Sequence, residues 1–180
     1  MHEIPIDYDT AMYRKARDAA GETDEQLFDD YFDLQFEMLR TLQPKVVGHF
    51  DLIRLLSDKP DRDLREWKGV WAKVERNLEL VVEQGGLLEI NTSALRKGLQ
   101  QPYPRKEICE VFLSLGGKLT LSDDSHGTTQ VGTNFEKAFS FLDDLGVKEV
   151  WTLKGKKDML AGEGAVQRIS LKDIKESFCP

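Results

Sequence analysis

Four times along the chain an amphipathic helical stretch runs into a short apolar stretch that closes on polar residues. That alternation constrains the fold more than any other feature. Thr23 and Gln26 have the spacing of a capping box, and Phe28, Tyr31, Phe32, Phe36, Leu39 and Leu42 follow at helical intervals, with only Gln35 breaking the apolar face. The pattern predicts a helix from about Asp24 to Leu42, stopped by Pro44, then a strand through Val46 to Asp51. A second apolar stripe from Trp67 to Val82 precedes the strand at Leu87 to Thr92. Pro104 suits the first turn of a third helix, which ends at Gly116 and Gly117 before a strand from Lys118 to Asp124. Phe135 to Leu145 forms the fourth helix and Val147 to Leu153 the fourth strand. A short helix over Ala11 to Ala19 opens the chain. A polar, glycine-bearing loop and a short helix capped by Ser170 or Asp173 close it.

Repeated helix and strand units with short connections predict an α/β domain of parallel strands. Parallel strands end on one face, so the residues just beyond them gather in space. These are His49 and Asp51, then Asn91 to Lys97, then Asp124 and His126, then Lys154. On an extended backbone Asp124 and His126, two apart, point to the same side. A carboxylate and an imidazole presented together suit a borderline divalent metal, although Ser122, Asp123 and Asp124 are equally the residues that cap a loop. Standing alone, His49 reads first as an ordinary core or loop histidine. Asp51 and Asp123 read as caps or supporting partners, Glu89 as structural, and Asn91 as a hydrogen-bond donor behind a ligand.

Composition narrows the function. With 180 residues, 40% of them hydrophobic, the chain has enough material for one domain with a sizeable core. Its net charge of −7 and lack of a basic stripe argue against nucleic acid as a partner. No apolar run approaches membrane-spanning length, and the first residues lack a signal-peptide pattern, so a soluble protein is expected. The two cysteines, Cys109 and Cys179, lie far apart, which fits a reducing, cytoplasmic setting.

The strings Lys45-Val46-Val47-Gly48-His49-Phe50-Asp51-Leu52-Ile53, Leu88-Glu89-Ile90-Asn91-Thr92-Ser93-Ala94-Leu95-Arg96-Lys97-Gly98 and Leu121-Ser122-Asp123-Asp124-Ser125-His126 resemble, in content and order, the histidinol-phosphate phosphatases of the PHP superfamily. The likeness runs over nearly the whole chain. It is nearest to the fungal type, including the segments at Ile4 to Asp7 and Phe28 to Asp33.

The resemblance implies a distorted (β/α)7 barrel with a cluster of divalent metals, usually three, of zinc, manganese or iron. It implies hydrolysis of L-histidinol phosphate to L-histidinol and phosphate, a late step of histidine biosynthesis. Matched position by position, His49, Asp124 and His126 fall on metal-binding positions, with Asp124 also placed to orient or deprotonate the nucleophile. Arg96 falls on a basic position available to the substrate phosphate, with Lys97 as a second candidate. The family's first-strand His-x-His, its further histidines and its glutamate have no counterpart here, and His2 lies slightly past the expected ligand position. Residues 1–180 therefore read as the C-terminal portion of a single barrel domain, with an incomplete metal set and an open edge strand exposed to pairing with another chain. Two alternatives follow: a non-catalytic remnant or partner-binding partial barrel, and a PHP phosphoesterase acting on another small phosphate ester.

Overall fold

The computed structural model describes residues 4–155 and 166–178. His2 and Cys179 lie outside the described residues. Helix α1 spans Thr10–Ala20 and begins where Asp9 accepts the Met12 amide at 2.7 Å. Helix α2, Asp24–Leu42, has the predicted bounds: Thr23 Oγ1 accepts the Gln26 amide at its start, and Gln43 leaves in the left-handed conformation at its end.

Gln35 is not a break in the apolar face of α2. It is buried there, and its Nε2 donates to the Phe50 carbonyl at 2.8 Å. Asn77, on helix α3 (Lys68–Glu83), donates from Nδ2 to Gln35 Oε1 at 3.1 Å and to the Phe32 carbonyl at 2.7 Å. The two amides thus tie α2, α3 and the segment after the first strand together through satisfied buried groups, each of which would cost about 1–3 kcal/mol if left unpaired.

Three parallel strands lie in the order β1 (Val46–Val47), β2 (Leu87–Asn91), β3 (Lys118–Ser122). Leu88 stands opposite Leu119 and Asn91 opposite Ser122, so β2 and β3 end level with each other. Val47, Leu88, Ile90 and Leu119 join the core formed with Phe28, Phe32, Leu39, Val74, Leu78 and Phe112. Glu89 and Asn91 alternate with Leu88 and Ile90 and take the opposite face.

Four local expectations change. The first strand is two residues long, because the chain leaves extended geometry at Gly48 and His49. A one-turn helix, α4 (Ser93–Arg96), follows β2 directly. Pro104 precedes the third predicted helix instead of starting it: the Tyr103–Pro104 peptide is cis, Arg105 caps, and α5 runs over Lys106–Ser114. The fourth strand, β4 (Glu149–Leu153), follows α6 (Phe135–Asp144) and packs beside β3, yet its ladder partner is β5 (Val166–Ser170), antiparallel. Helix α7, Leu171–Phe178, ends the described chain. No described helix is long and apolar enough to cross a membrane, and Cys109 is a buried free thiol.

Candidate active site at the strand ends

His49 sits just past β1 at φ 29°, in the left-handed region that a side chain seldom adopts. What holds it is a carboxylate from the next strand. Glu89 Oε2 accepts the His49 amide at 2.9 Å and the Asn91 Nδ2 at 2.9 Å. Gly48 makes room for this contact, since a Cβ there would lie 3.2 Å from the same oxygen. Asn91 in turn accepts the Ser93 amide at 2.9 Å, which starts α4.

Below His49 the chain is anchored by buried charge. Asp51, fully buried, pairs through Oδ2 with Arg54 Nε at 2.9 Å and accepts the Arg105 amide at 3.2 Å. Arg54, 1% exposed, donates from Nη2 to the carbonyls of Gln101 and Pro102, both at 2.9 Å, and lies over the Tyr103 ring. Burial pushes the Asp51 carboxyl above its ordinary range despite the opposing charge of Arg54. Asp51 thus fastens the loop instead of facing solvent as a ligand would.

The turn after β3 is held from within. Asp123 accepts the Ser125 amide at 3.0 Å and the Ser125 hydroxyl on Oδ1, and the Gly132 amide on Oδ2. Burial raises its carboxyl, and these hydrogen bonds outweigh burial to hold it below the usual carboxylate range. Asp124 has φ 51° and so is not extended, which corrects the expectation that Asp124 and His126 project side by side as on a strand. The curled backbone wraps the Arg96 guanidinium, whose Nη1 donates to the Asp123 carbonyl at 2.9 Å and Nη2 to the Asp124 carbonyl at 3.1 Å, while the Asp124 amide donates to Ser122 Oγ at 3.2 Å. His126 Nδ1 lies 2.9 Å from the same Asp124 carbonyl, and its amide donates to Gln130 Oε1 at 2.9 Å. The Asp124 carboxylate has no hydrogen bond among the described residues. Lys97 is exposed beside Arg96.

The strand ends therefore bring Arg96 onto the Asp124–His126 turn, and Glu89, steadied by Asn91, onto the His49 amide. The donor types at His49, Asp124 and His126, two imidazoles and a carboxylate, suit a borderline divalent ion. The structure does not bring them into one site: the described residues hold no group of three or more His, Cys, Asp or Glu side chains placed to bind one ion. An apolar groove of about 410 Å³ lined by Ile4, Ile6, Ala16, Ala19, Ala20 and Leu27 shares no residue with the strand ends. Sequence reasoning missed the hold of Glu89 on His49 and of Gln130 on His126. Glu89 was within reach, because its position on β2 puts it on the same face as Asn91. Gln130 carried no signal.

A parallel α/β sheet with polar side chains gathered past the C-terminal ends of its strands defines a class of α/β domains in which that end is the usual place for a ligand. Within that class the chain belongs to the PHP domain family, whose model matches residues 1–93. It is 41% identical to a Schizosaccharomyces pombe protein named "Probable histidinol-phosphatase", over 99% of this chain and 58% of that protein. It is 35% identical to the Saccharomyces cerevisiae "Histidinol-phosphatase", over 79% of this chain and 49% of that enzyme. The fold also matches the crystal structure of a candidate histidinol phosphatase from Listeria monocytogenes, with TM-score 0.66 and 24% identity over 73% of this chain and 51% of that one. The chain thus spans 58% and 49% of the lengths of these two curated relatives.

Proposed function

We propose that this chain is the portion of a PHP-type barrel that carries the late metal ligands of a phosphomonoesterase, and that its substrate is L-histidinol phosphate. The names of the two curated relatives support the substrate. The observation that carries the site is the Asp124 carboxylate, left without a hydrogen bond among the described residues on a turn that Arg96, Asp123 and Gln130 all work to hold. A carboxylate kept clear in this way is available to a metal ion or to the proton of a nucleophile. His49 and His126 are the companion ligands.

The chemistry that a divalent cluster of zinc, manganese or iron supplies to such a reaction is a more acidic water and neutralisation of the phosphate oxygens. Arg96 spends two of its five N–H donors on carbonyls, and the rest of the guanidinium can take a phosphate oxygen. Lys97, exposed on the next residue, adds charge at the mouth. A cytoplasmic setting and a small-molecule partner belong to the same reading. The shortage of clustered ligands among the described residues favours one competing reading, a non-catalytic partial barrel.

The experiment is a phosphate-release assay of the purified chain with Zn²⁺, Mn²⁺ or Fe²⁺. It compares L-histidinol phosphate with a generic aryl phosphate and is run alongside a chimera in which the chain replaces its matched portion of the S. pombe relative. The chain alone should bind fewer ions than a full cluster and turn over slowly. The chimera should prefer histidinol phosphate and lose activity on Asp124→Asn. No preference for histidinol phosphate in either protein would overturn the substrate, and a chimera indifferent to Asp124→Asn would overturn the site.

A further inference from the structure

Two groups converge on one oxygen, the Asp124 carbonyl: Arg96 Nη2 at 3.1 Å and His126 Nδ1 at 2.9 Å. A carbonyl oxygen only accepts, so Nδ1 must carry the proton, and the lone pair of the neutral ring lies on Nε2. The position of that carbonyl is not set by regular structure, because Asp124 has left the strand at φ 51°. Arg96 is the side chain that grips it, along with the Asp123 carbonyl at 2.9 Å, while the Asp124 amide donates to Ser122 Oγ at 3.2 Å. Arg96 is fixed at its own root: the Thr92 amide donates to the Ser122 carbonyl at 2.9 Å, and Thr92 Oγ1 donates to the Thr133 carbonyl at 2.8 Å.

We propose that Arg96 is a positioning residue for His126: by holding the Asp124 carbonyl it fixes the imidazole as the Nδ1–H tautomer and leaves Nε2 free to bind. This deepens the reading above in one respect, since it names Nε2 as the ligating atom if a metal is bound. The tautomer itself does not depend on phosphatase activity. A lysine at the same place would keep the charge but, as a single ammonium, lacks the fork that spans two successive carbonyls.

The test is the ¹⁵N spectrum of the imidazoles in the full chain, without metal or substrate, at about pH 8.5, where histidines are neutral. The chain contains three histidines, so His126→Gln assigns the resonance. Wild type should show His126 mainly as Nδ1–H. Arg96→Lys and Arg96→Met should shift it to mainly Nε2–H, while Thr92→Val, which loosens the same loop without touching the Asp124 carbonyl, should leave it as Nδ1–H. Should Arg96→Met unfold, Arg96→Lys decides, since it keeps both the stem and the charge. A wild-type ring already in the Nε2–H form, an unchanged tautomer in Arg96→Lys, or an equal shift in Thr92→Val would each overturn the proposal. Because no turnover is read, failure here leaves the substrate assignment standing, and a failed phosphatase assay leaves the tautomer result standing.

Discussion

The turns after β1 and β3 present their histidines at the same end of one sheet, yet they are built in opposite ways. The His49 turn rests on buried charge, with Asp51 and Arg54 sealed beneath it and Arg105 closing over them. The His126 turn is exposed and is held by its own side chains and by one arginine reaching from α4, the one-turn helix after the neighbouring strand. The first is part of the core, and its loss should be felt as global instability. The second is a local device, and its loss should be felt as loop opening.

Arg54→Met tests the first half most severely. It leaves Asp51 as an uncompensated buried charge and should cost about 3–5 kcal/mol in denaturant unfolding. Asp51→Leu combined with Arg54→Met should cost clearly less than the sum of the single changes. Strict additivity would break the comparison by showing that the pair does not act as a unit.

Glu89→Ala should cost about 1–3 kcal/mol by leaving the His49 amide without its acceptor. Amide exchange should rise at His49 and Asn91 while Ser125 and His126 keep their protection. Spread of the effect to the second turn would show that the two are coupled through β2.

Asp124→Gly should leave stability within about 1 kcal/mol of wild type, because glycine accepts a positive φ freely and the carboxylate makes no hydrogen bond among the described residues. The same change should remove phosphatase activity from the chimera. A large loss of stability would mean the side chain is structural.

The Asp123 turn should respond to acid. A carboxyl held below its unfolded value stabilises the folded state at pH values above that unfolded value, and the contribution is lost as pH falls through the folded one. Protection of the Ser125 and Gly132 amides, relative to the intrinsic exchange rate at each pH, should therefore fall as pH drops below about 4, and Asp123→Asn should flatten that dependence. Smallest of all, Glu66→Gln removes an exposed 2.6 Å pair with Arg62 and should move stability by less than about 0.5 kcal/mol.

The contrast also explains what could be read in advance. Helix α2 was legible to the residue because a capping side chain, a period of three and four and a proline all act locally. The parallel order of β1, β2 and β3 followed from alternation alone, but the alternation did not tell whether the His49, Asp124 and His126 side chains meet, and among the described residues they form no three-ligand group. Strand β5 was not legible, since Val-Gln-Arg-Ile-Ser has little alternation and becomes a strand only against β4. The curl at Asp124 was hidden for a similar reason: Arg96 and Asp124 are 28 residues apart, and no local signal announces that a guanidinium will bind those carbonyls. Gln35 read as a flaw in a stripe because its partner, Asn77, sits on another helix.

The shortness of β1 has a consequence for behaviour in solution. An edge strand recruits other chains by offering a ladder of free backbone donors and acceptors, and Val46–Val47 offers a ladder of only two residues before His49 turns the chain out of plane. The same turn that presents His49 thus ends the template early. Concentrated samples should gain few intermolecular strands along this edge, and a substitution that straightened residues 48–51 should lengthen the template and make the edge sticky.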